Sequence, residues 1–393
     1  MSGRPEGLRD EFVYLDYNAT TPVDPRVVEA MQPYLGTHFA NPSSDHALSR
    51  QPRQALTTAR RQIADLIGAH PEGIVFTGGG SVADTLAVRG AALRHRDGPA
   101  HVITQVTEHP AVLETCRALN RLHGVEVTHL PVDAHGRVDP DDLARALTPR
   151  TAVVSIMTAN NETGVLQPIA ELAAAAHERG ALFHTDAAQA AGKIPLDVTG
   201  LDVDLLTIAG HKMYAPKGIG ALYVRPGLDL EPAIYGGGQE RGLHAGTEPV
   251  ASAVALGTAA HLAATDLRTG EPARLTSLRD RLHQRLSDLL PGRVHLNGHP
   301  EHRLPGTLNI SITGTRGDRL LASAPGIAAA TGSACHSDSP EPSPVLLAMG
   351  HDHDRALAAL RLTLGRWSTQ DETDQAAQQI ADSAHALLTP PGS

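Results

Sequence analysis

The chain has 393 residues, 41% hydrophobic and 19% charged, with a formal net charge of -10 at pH 7. That length suits two domains with ample core. The acidic balance, with no basic run, argues against a general nucleic-acid binder, and no apolar stretch reads as long as the roughly 18 residues a bilayer span needs. The opening MSGRPEGLRDE does not read as a signal peptide. Two cysteines, Cys116 and Cys335, cannot build a disulfide framework, so a reducing cytoplasm is expected. The histidines are many but scattered, and the close sets His299/His302 and His351/His353 lack cysteine partners, so no metal site is expected.

In chain order, FVYLDYNATTP (12–22) reads as a short strand into a polar turn. A helix follows from Asp24, with Pro25 in its first turn and apolar residues at Val27, Val28, Met31 and Leu35. Residues 54–68 are again helical in period. Strands at 73–77, 101–105, 125–130, 152–157, 182–185 and 203–209 then alternate with helices at 82–94, 110–123, 140–146 and 168–179. That alternation predicts an α/β fold with a doubly wound, mostly parallel sheet, whose ligands sit outside the carboxyl ends of the strands. After GGGQERG (236–242) the texture changes. Helices near 251–264 and 272–290, a strand at 307–313, a cysteine-bearing loop and a segment at 356–365 suggest a smaller α+β domain joined by the N-terminal strand. The expected division is 20–255 for the large domain, and 256–393 with 1–19 for the small one.

The polar signals fall at strand ends. In LLTIAGHKMYAPKGIGALYV (205–224) a buried strand breaks at Gly210 and delivers His211 and Lys212. A lysine there either forms a Schiff base with a carbonyl cofactor or is a solvated loop residue. Gly78-Gly79-Gly80-Ser81 follows a strand and opens a helix, as an anion cradle, a structural turn or a dinucleotide loop would. Against the last, no acidic residue closes the next strand. Asp186 at a strand end, beside Gln189, reads as the partner of a protonated ring nitrogen or as a helix cap. Lys212, Asp186 and the cradle together meet the three needs of pyridoxal 5'-phosphate. Cys335 lies in a loop of small residues and is expected to be exposed, whereas Cys116 falls on the apolar face of a helix. Arg361, in LRLTLGR, can hold a carboxylate bidentately.

These residues resemble the cysteine desulfurase and selenocysteine lyase family, fold-type I pyridoxal phosphate enzymes of the class V aminotransferase group. The carriers run in order through the chain: YLDYNATTP (14–22), NPSS (41–44), TEHPAV (107–112), ANNETGV (159–165), HTDAAQ (184–189), GHKMYAPKGIGALY (210–223), GGGQERG (236–242), GTE (246–248), GSACHSD (332–338) and LRLTLGR (360–366). The resemblance implies a role for each matching position. Lys212 would be the Schiff-base lysine and proton shuttle, and His109 would stack on the ring and assist acid–base steps. Asp186 would pair with the pyridinium, while Gln189 and Asn161 would face the ring hydroxyl and the substrate. Gly80, Ser81 and His211 would hold the phosphate, joined by Thr247 from the second subunit of a homodimer. Arg361 would bind the substrate carboxylate, and the Cys335 thiol would take sulfur from L-cysteine as a persulfide, for delivery to an acceptor protein.

Three positions depart from the family's pattern. Ala209 stands for the usual serine before GHK, Val82 for a glutamate in the cradle loop, and His244 for an arginine before GTE. All three imply a weaker hold on the cofactor. GSACHSD with PSPVLLAMG (342–350) is similar to selenocysteine lyases, so L-selenocysteine is an alternative substrate. A catalytically weak paralogue acting as a binding partner is the third reading, opposed by the presence of both Lys212 and Cys335.

Overall fold

The computed structural model describes residues 3–8, 11–94, 100–332 and 341–389. Its centre is a seven-stranded sheet built from β2 (Ile74–Thr77), β3 (His101–Gln105), β4 (Glu126–Leu130), β5 (Thr151–Ser155), β6 (Leu182–Asp186), β7 (Leu205–Ala209) and β8 (Gly220–Val224). The short N-terminal strand β1 (Val13–Tyr14) lies apart from it. The spatial order is β2-β8-β7-β6-β5-β3-β4, with β8 antiparallel to both its neighbours and the remaining pairs parallel. Every residue of β2, β3, β5, β6, β7 and β8 is buried. Burial at every position is what strands covered on both faces show. β8 reverses because only the turn carrying Lys212 separates it from β7, too little chain for a parallel crossover.

The helices α1 (Pro25–Met31), α2 (Arg50–Leu66), α3 (Gly80–Leu93), α4 (Pro110–His123), α5 (Pro140–Ala146) and α6 (Ile169–His177) cover this sheet. They start where caps and prolines direct: Asp24, His109 and Asp139 each accept a hydrogen bond from the first turn of α1, α4 and α5. One core joins α2 and α6 to one side of the sheet, and a second joins α3 and α4 to the other, with Cys116 fully buried in the latter. The long helix α7 (Val250–Arg268) buries Ala253, Leu256, Ala259, Ala260 and Ala263 in the α2 core. The division expected at 255/256 therefore falls inside α7, and the change of core comes after it. α7 also corrects the reading that no stretch is long and apolar enough for a span. An 18-residue window of its 19 residues reaches a mean hydropathy of 1.3, and its alanine face is spent against α2.

A separate core gathers α8 (Glu271–Leu289), a three-stranded antiparallel sheet, and the C-terminal helix. That sheet comprises β9 (Val294–Leu296), β10 (Thr307–Ile312) and β12 (Ala359–Thr363), in the order β12-β10-β9. Between β10 and β12 run α9 (Gly317–Ala322), β11 (Ile327–Ala328), α10 (Pro344–Ala348) and α11 (His353–Leu357), and α12 (Gln370–Leu388) closes the chain. Thr369 and Glu372 form a reciprocal capping box at its start. β1 pairs with β11 in parallel, and Val13 and Leu15 join this core, so the N-terminal strand packs with the C-terminal part. Arg366 straps the two parts together. Its guanidinium reaches Asp24 and Asp266, each at 2.6 Å, and lies 4.1 Å from the centroid of the Tyr214 ring.

Candidate active site

The lysine turn is built by close approach. After β7 the chain forms one tight helical turn, Gly210–Lys212, and Tyr214 then takes a left-handed backbone, φ 63°. The strained residue is over-determined: its hydroxyl accepts from Arg366 N at 2.7 Å and its N–H donates to Thr21 Oγ1 at 2.8 Å. Thr21 also donates, through N–H and hydroxyl, to the His211 carbonyl at 2.9 and 3.0 Å. The turn is thus pinned to the N-terminal stretch 18–24. That places Lys212 Nζ 2.6 Å from the Asn18 carbonyl and 2.7 Å from the Ala19 carbonyl.

On the neighbouring parallel strand β6, Asp186 is set opposite Thr207 of β7 and is buried. One carboxylate oxygen accepts from Ala188 N at 2.8 Å, the Asx-type cap that its position suggested. Burial raises its pKa, while that bond and the neighbouring His109 and Lys212 pull the other way. His109 caps α4, with Nδ1 accepting from Ala111 N at 3.2 Å. Burial and Lys212 lower its pKa against the opposing pull of Asp186. The His211 imidazole is pushed down to about 4 by burial and by a ring of cations led by Lys212, so it is neutral at pH 7. Its Nδ1 sits 3.1 Å from Thr20 Oγ1.

The N-terminus of α3 faces the same end of the sheet. No side chain caps it, and Gly79 takes a backbone, φ 139°, that only glycine adopts readily. A Cβ on Gly220 would fall 2.8 Å from the Gly79 carbonyl carbon, and one on Gly80 would fall 3.1 Å from Ala209 Cβ. Glycines therefore let the helix start directly against the end of β7. The first N–H groups of α3, unserved by any side chain, form an anion seat. Ser81 beside it is exposed.

Gln189 donates from Nε2 to the Asn18 carbonyl at 2.9 Å, the same oxygen that Lys212 reaches. The Asn161 carbonyl accepts from Asn18 Nδ2 at 3.2 Å and from Arg361 at 3.4 Å. Arg361 is not a surface residue. Its side chain is 2% exposed, ion-paired with Asp16 at 2.8 Å, and its Nε has no hydrogen-bond partner among the described residues. Thr247 lies on an exposed loop. Cys335 lies outside the described residues.

Five further polar residues had no role assigned from the sequence: Asp16, Asn18, Asp84, Lys193, and Glu108, which stood out only as a polar residue at a strand end. Asp84 and Glu108 are buried and coupled electrostatically to Asp186. Lys193 donates to Gln189 Oε1 at 2.7 Å and to Asn18 Oδ1 at 3.0 Å. Its spacing of four from Gln189, one helical turn, was the available signal.

An amine at one strand end, a buried carboxylate at the next and an uncapped helix start beside them match the carbonyl, ring nitrogen and phosphate of pyridoxal 5'-phosphate. The donor set fits that cofactor.

Comparison with known proteins agrees. The family model described as Aminotransferase class-V matches residues 13–376. The chain is 47% identical over 378 residues to "Cysteine desulfurase IscS" of Anaeromyxobacter dehalogenans (strain 2CP-C), covering 95% of this chain and 93% of that one. It is 45% identical over 365 residues to "Cysteine desulfurase" of Homo sapiens, covering 92% and 79%. Among solved structures, a NifS-like protein superimposes with a TM-score of 0.88 at 34% identity, over 95% of this chain and all (100%) of that one. A structure described as SspA in complex with cysteine gives a TM-score of 0.79 at 36% identity, over 91% and 99%. With a matching family model and relatives of this identity along most of its length, the chain belongs to the class-V aminotransferase family, whose enzymes depend on pyridoxal phosphate.

Proposed function

We propose that this protein is a cysteine desulfurase that converts L-cysteine to L-alanine and carries the sulfur on Cys335. The observation that carries the reading is the delivery of Lys212 and Asp186 from adjacent strands to one mouth, beside the uncapped start of α3. Asp186 would hold the ring nitrogen, Gly80, Ser81 and His211 the phosphate, and Lys212 the carbonyl carbon. His109 would stack against the ring, with Gln189 and Asn161 at its edge. The bound cofactor supplies an electron sink for the α-carbon of the amino acid.

The protein's own groups do the rest. Arg361 orients the substrate carboxylate, and Lys212 Nζ moves the α-proton. The Cys335 thiolate attacks the substrate sulfur, and the carbon–sulfur electron pair ends as the methyl C–H of alanine. One thiol and one cysteine thus yield one persulfide and one alanine, and an acceptor protein takes the terminal sulfur.

A homodimer completes the site in this reading, with Thr247 crossing to the partner's phosphate. The stretch 35–48 supports it, because Leu35, Phe39 and Leu48 are large, apolar and exposed. Its Pro42 and Ser43 line a cleft with Glu248, next to Thr247. Paired thiols are absent from the reading, which suits a reducing cytoplasm.

The test is alanine formation from L-cysteine and from L-selenocysteine by wild type and Cys335→Ala, with mass spectrometry of the peptide bearing Cys335. A single added sulfur on Cys335, with alanine formation lost in the variant, is expected for L-cysteine. Undiminished cysteine turnover in Cys335→Ala overturns the persulfide route. The second reading, a selenocysteine lyase, is favoured by GSACHSD (332–338); activity confined to L-selenocysteine would establish it.

A further inference from the structure

We propose that Lys193 is a positioning residue of this site, clamping Gln189 so that its amide nitrogen, and not its oxygen, is presented toward the ring hydroxyl of the cofactor. The inference rests on the cofactor reading above. Lys193 Nζ lies 2.7 Å from one terminal atom of Gln189 and 3.0 Å from Asn18 Oδ1. An ammonium only donates, so the Gln189 atom it touches must be the acceptor, Oε1. The other terminal atom, Nε2, then donates to the Asn18 carbonyl at 2.9 Å. Its second N–H has no partner among the described residues and is left for a ligand.

The same contacts tie Lys193 to Lys212. Asn18 offers its side-chain oxygen to Lys193 and its backbone oxygen to Lys212, 3.0 and 2.6 Å away. Asn18 is held from its other end by Nδ2, which donates to Thr307 Oγ1 at 3.0 Å and to the Asn161 carbonyl at 3.2 Å. When Lys212 leaves the Asn18 carbonyl for the cofactor, Gln189 and Lys193 keep Asn18 in place.

A structural lysine has no reason to be here. Burying an ammonium carries a heavy desolvation penalty, and an apolar side chain of the same length fills the space more cheaply. The charged groups facing Lys193 make matters worse, for Lys212 and Arg361 are both cations, and its two hydrogen-bond partners are neutral amides. Burial first, and these cations second, bring its pKa down to about 7. The clamp is therefore charged at mildly acidic pH and neutral at alkaline pH. A neutral amine donates more weakly, and Gln189 is then free to turn.

The test is the dissociation constant of pyridoxal 5'-phosphate for the full-length protein stripped of cofactor, at about pH 6 and about pH 9. At the lower pH, Lys193→Met and Gln189→Ala should each bind about tenfold more weakly than wild type. Their double variant should be within about twofold of Gln189→Ala, because both substitutions remove one coupled unit. Lys193→Met binding within about twofold of wild type, or losses that add in the double variant, would overturn the clamp. Wild type and Gln189→Ala give an independent reading should Lys193→Met fold poorly. Wild-type affinity should fall about tenfold from the lower to the higher pH, and Gln189→Ala should remove that fall. An equal fall in both, or a flat wild-type profile, contradicts the proposal. Borohydride reduction and peptide mapping separate the two levels. A wild-type chain that takes up no cofactor at Lys212 overturns the cofactor reading and this inference with it, whereas uptake at Lys212 with unaffected variants removes this inference alone.

Discussion

Arg361 Nη2 sits 2.8 Å from Asp16 Oδ1, so the residue expected to bind the substrate carboxylate is held by a carboxylate of its own chain. Asp16 is anchored beside Thr363 of β12, and its side chain is 22% exposed against 2% for Arg361. Burial raises the pKa of Asp16, and Arg361 draws it back down. If Arg361 takes the substrate carboxylate as proposed, an incoming amino acid competes with Asp16 for one guanidinium.

Replacing Asp16 by Asn removes the competitor and leaves a buried cation without its charge partner. The unliganded protein should lose roughly 1–3 kcal/mol of stability. The KM for L-cysteine should fall several-fold, with the substrate restoring more of the lost Tm than it adds to wild type. Thermal scans with and without substrate, alongside steady-state kinetics, check both. An unchanged KM would tell against Arg361 as the partner of the substrate carboxylate.

Glu108 is buried, feels the charge of Asp186 and precedes His109 in sequence. Its Oε1 accepts from Met157 N at 2.5 Å and Gln105 Nε2 at 2.9 Å, while Oε2 has no partner among the described residues. Burial, with Asp186 adding to it, lifts its pKa to about 8. The folded state thus holds a proton that the unfolded chain releases near its ordinary value of 4.5. The sign follows: this group's contribution is fully present at low pH and is lost as pH rises toward 8. Glu108→Gln mimics the protonated acid. Its stability relative to wild type should climb between about pH 5 and 8, by up to about 1.4 kcal/mol per pH unit. Denaturant unfolding across that range decides, and a flat difference would mean Glu108 is ionised in the folded protein.

The fold was legible wherever residues spoke for themselves. Buried strands announced themselves by apolar runs, and Lys212, His109 and Asp186 by standing at the ends of those runs. The reversal of β8 was not, because Gly220–Val224 has the same apolar texture in either direction. Nor was the full length of α7, whose small alanines carry a weak helical period although they pack densely on α2. The Asn18 carbonyl that receives Lys212 is a backbone atom 194 positions away and has no sequence signature. Arg361 read alone resembles a surface arginine, and only the 345-residue return to Asp16 shows it to be interior.

Ala209 ends β7 where α3 begins, and a Cβ on Gly80 would lie 3.1 Å from its own Cβ. A hydroxyl added at Ala209 therefore lands beside the first N–H groups of α3, within reach of an anion seated there. Ala209→Ser should strengthen cofactor retention by about 1 kcal/mol, the worth of one net hydrogen bond. Equilibrium titration of the stripped protein with pyridoxal 5'-phosphate measures it, and the Tm of the stripped protein should hardly move. Equal affinity in the two proteins would show that Ala209 is not the weak point of the cradle.

Thr247 supplies the prediction that separates a shared site from a self-contained one. It follows Gly246, whose φ of 129° and N–H donation to Gln239 Oε1 at 3.1 Å set an exposed loop. In a twofold dimer, each site would take Lys212 from one chain and Thr247 from the other. Thr247→Asp should repel the phosphate at both sites of its own dimer, and Lys212→Ala should silence both sites of its own. After subunit exchange, a mixed dimer pairs the intact Lys212 of the first variant with the intact Thr247 of the second. One of its two sites is whole. Random exchange of equal amounts makes about half the dimers mixed, so total activity should return to about a quarter of wild type. Native mass spectrometry must first show that exchange has occurred. Proven mixed dimers with no recovered activity would mean that Thr247 serves its own chain's site or none.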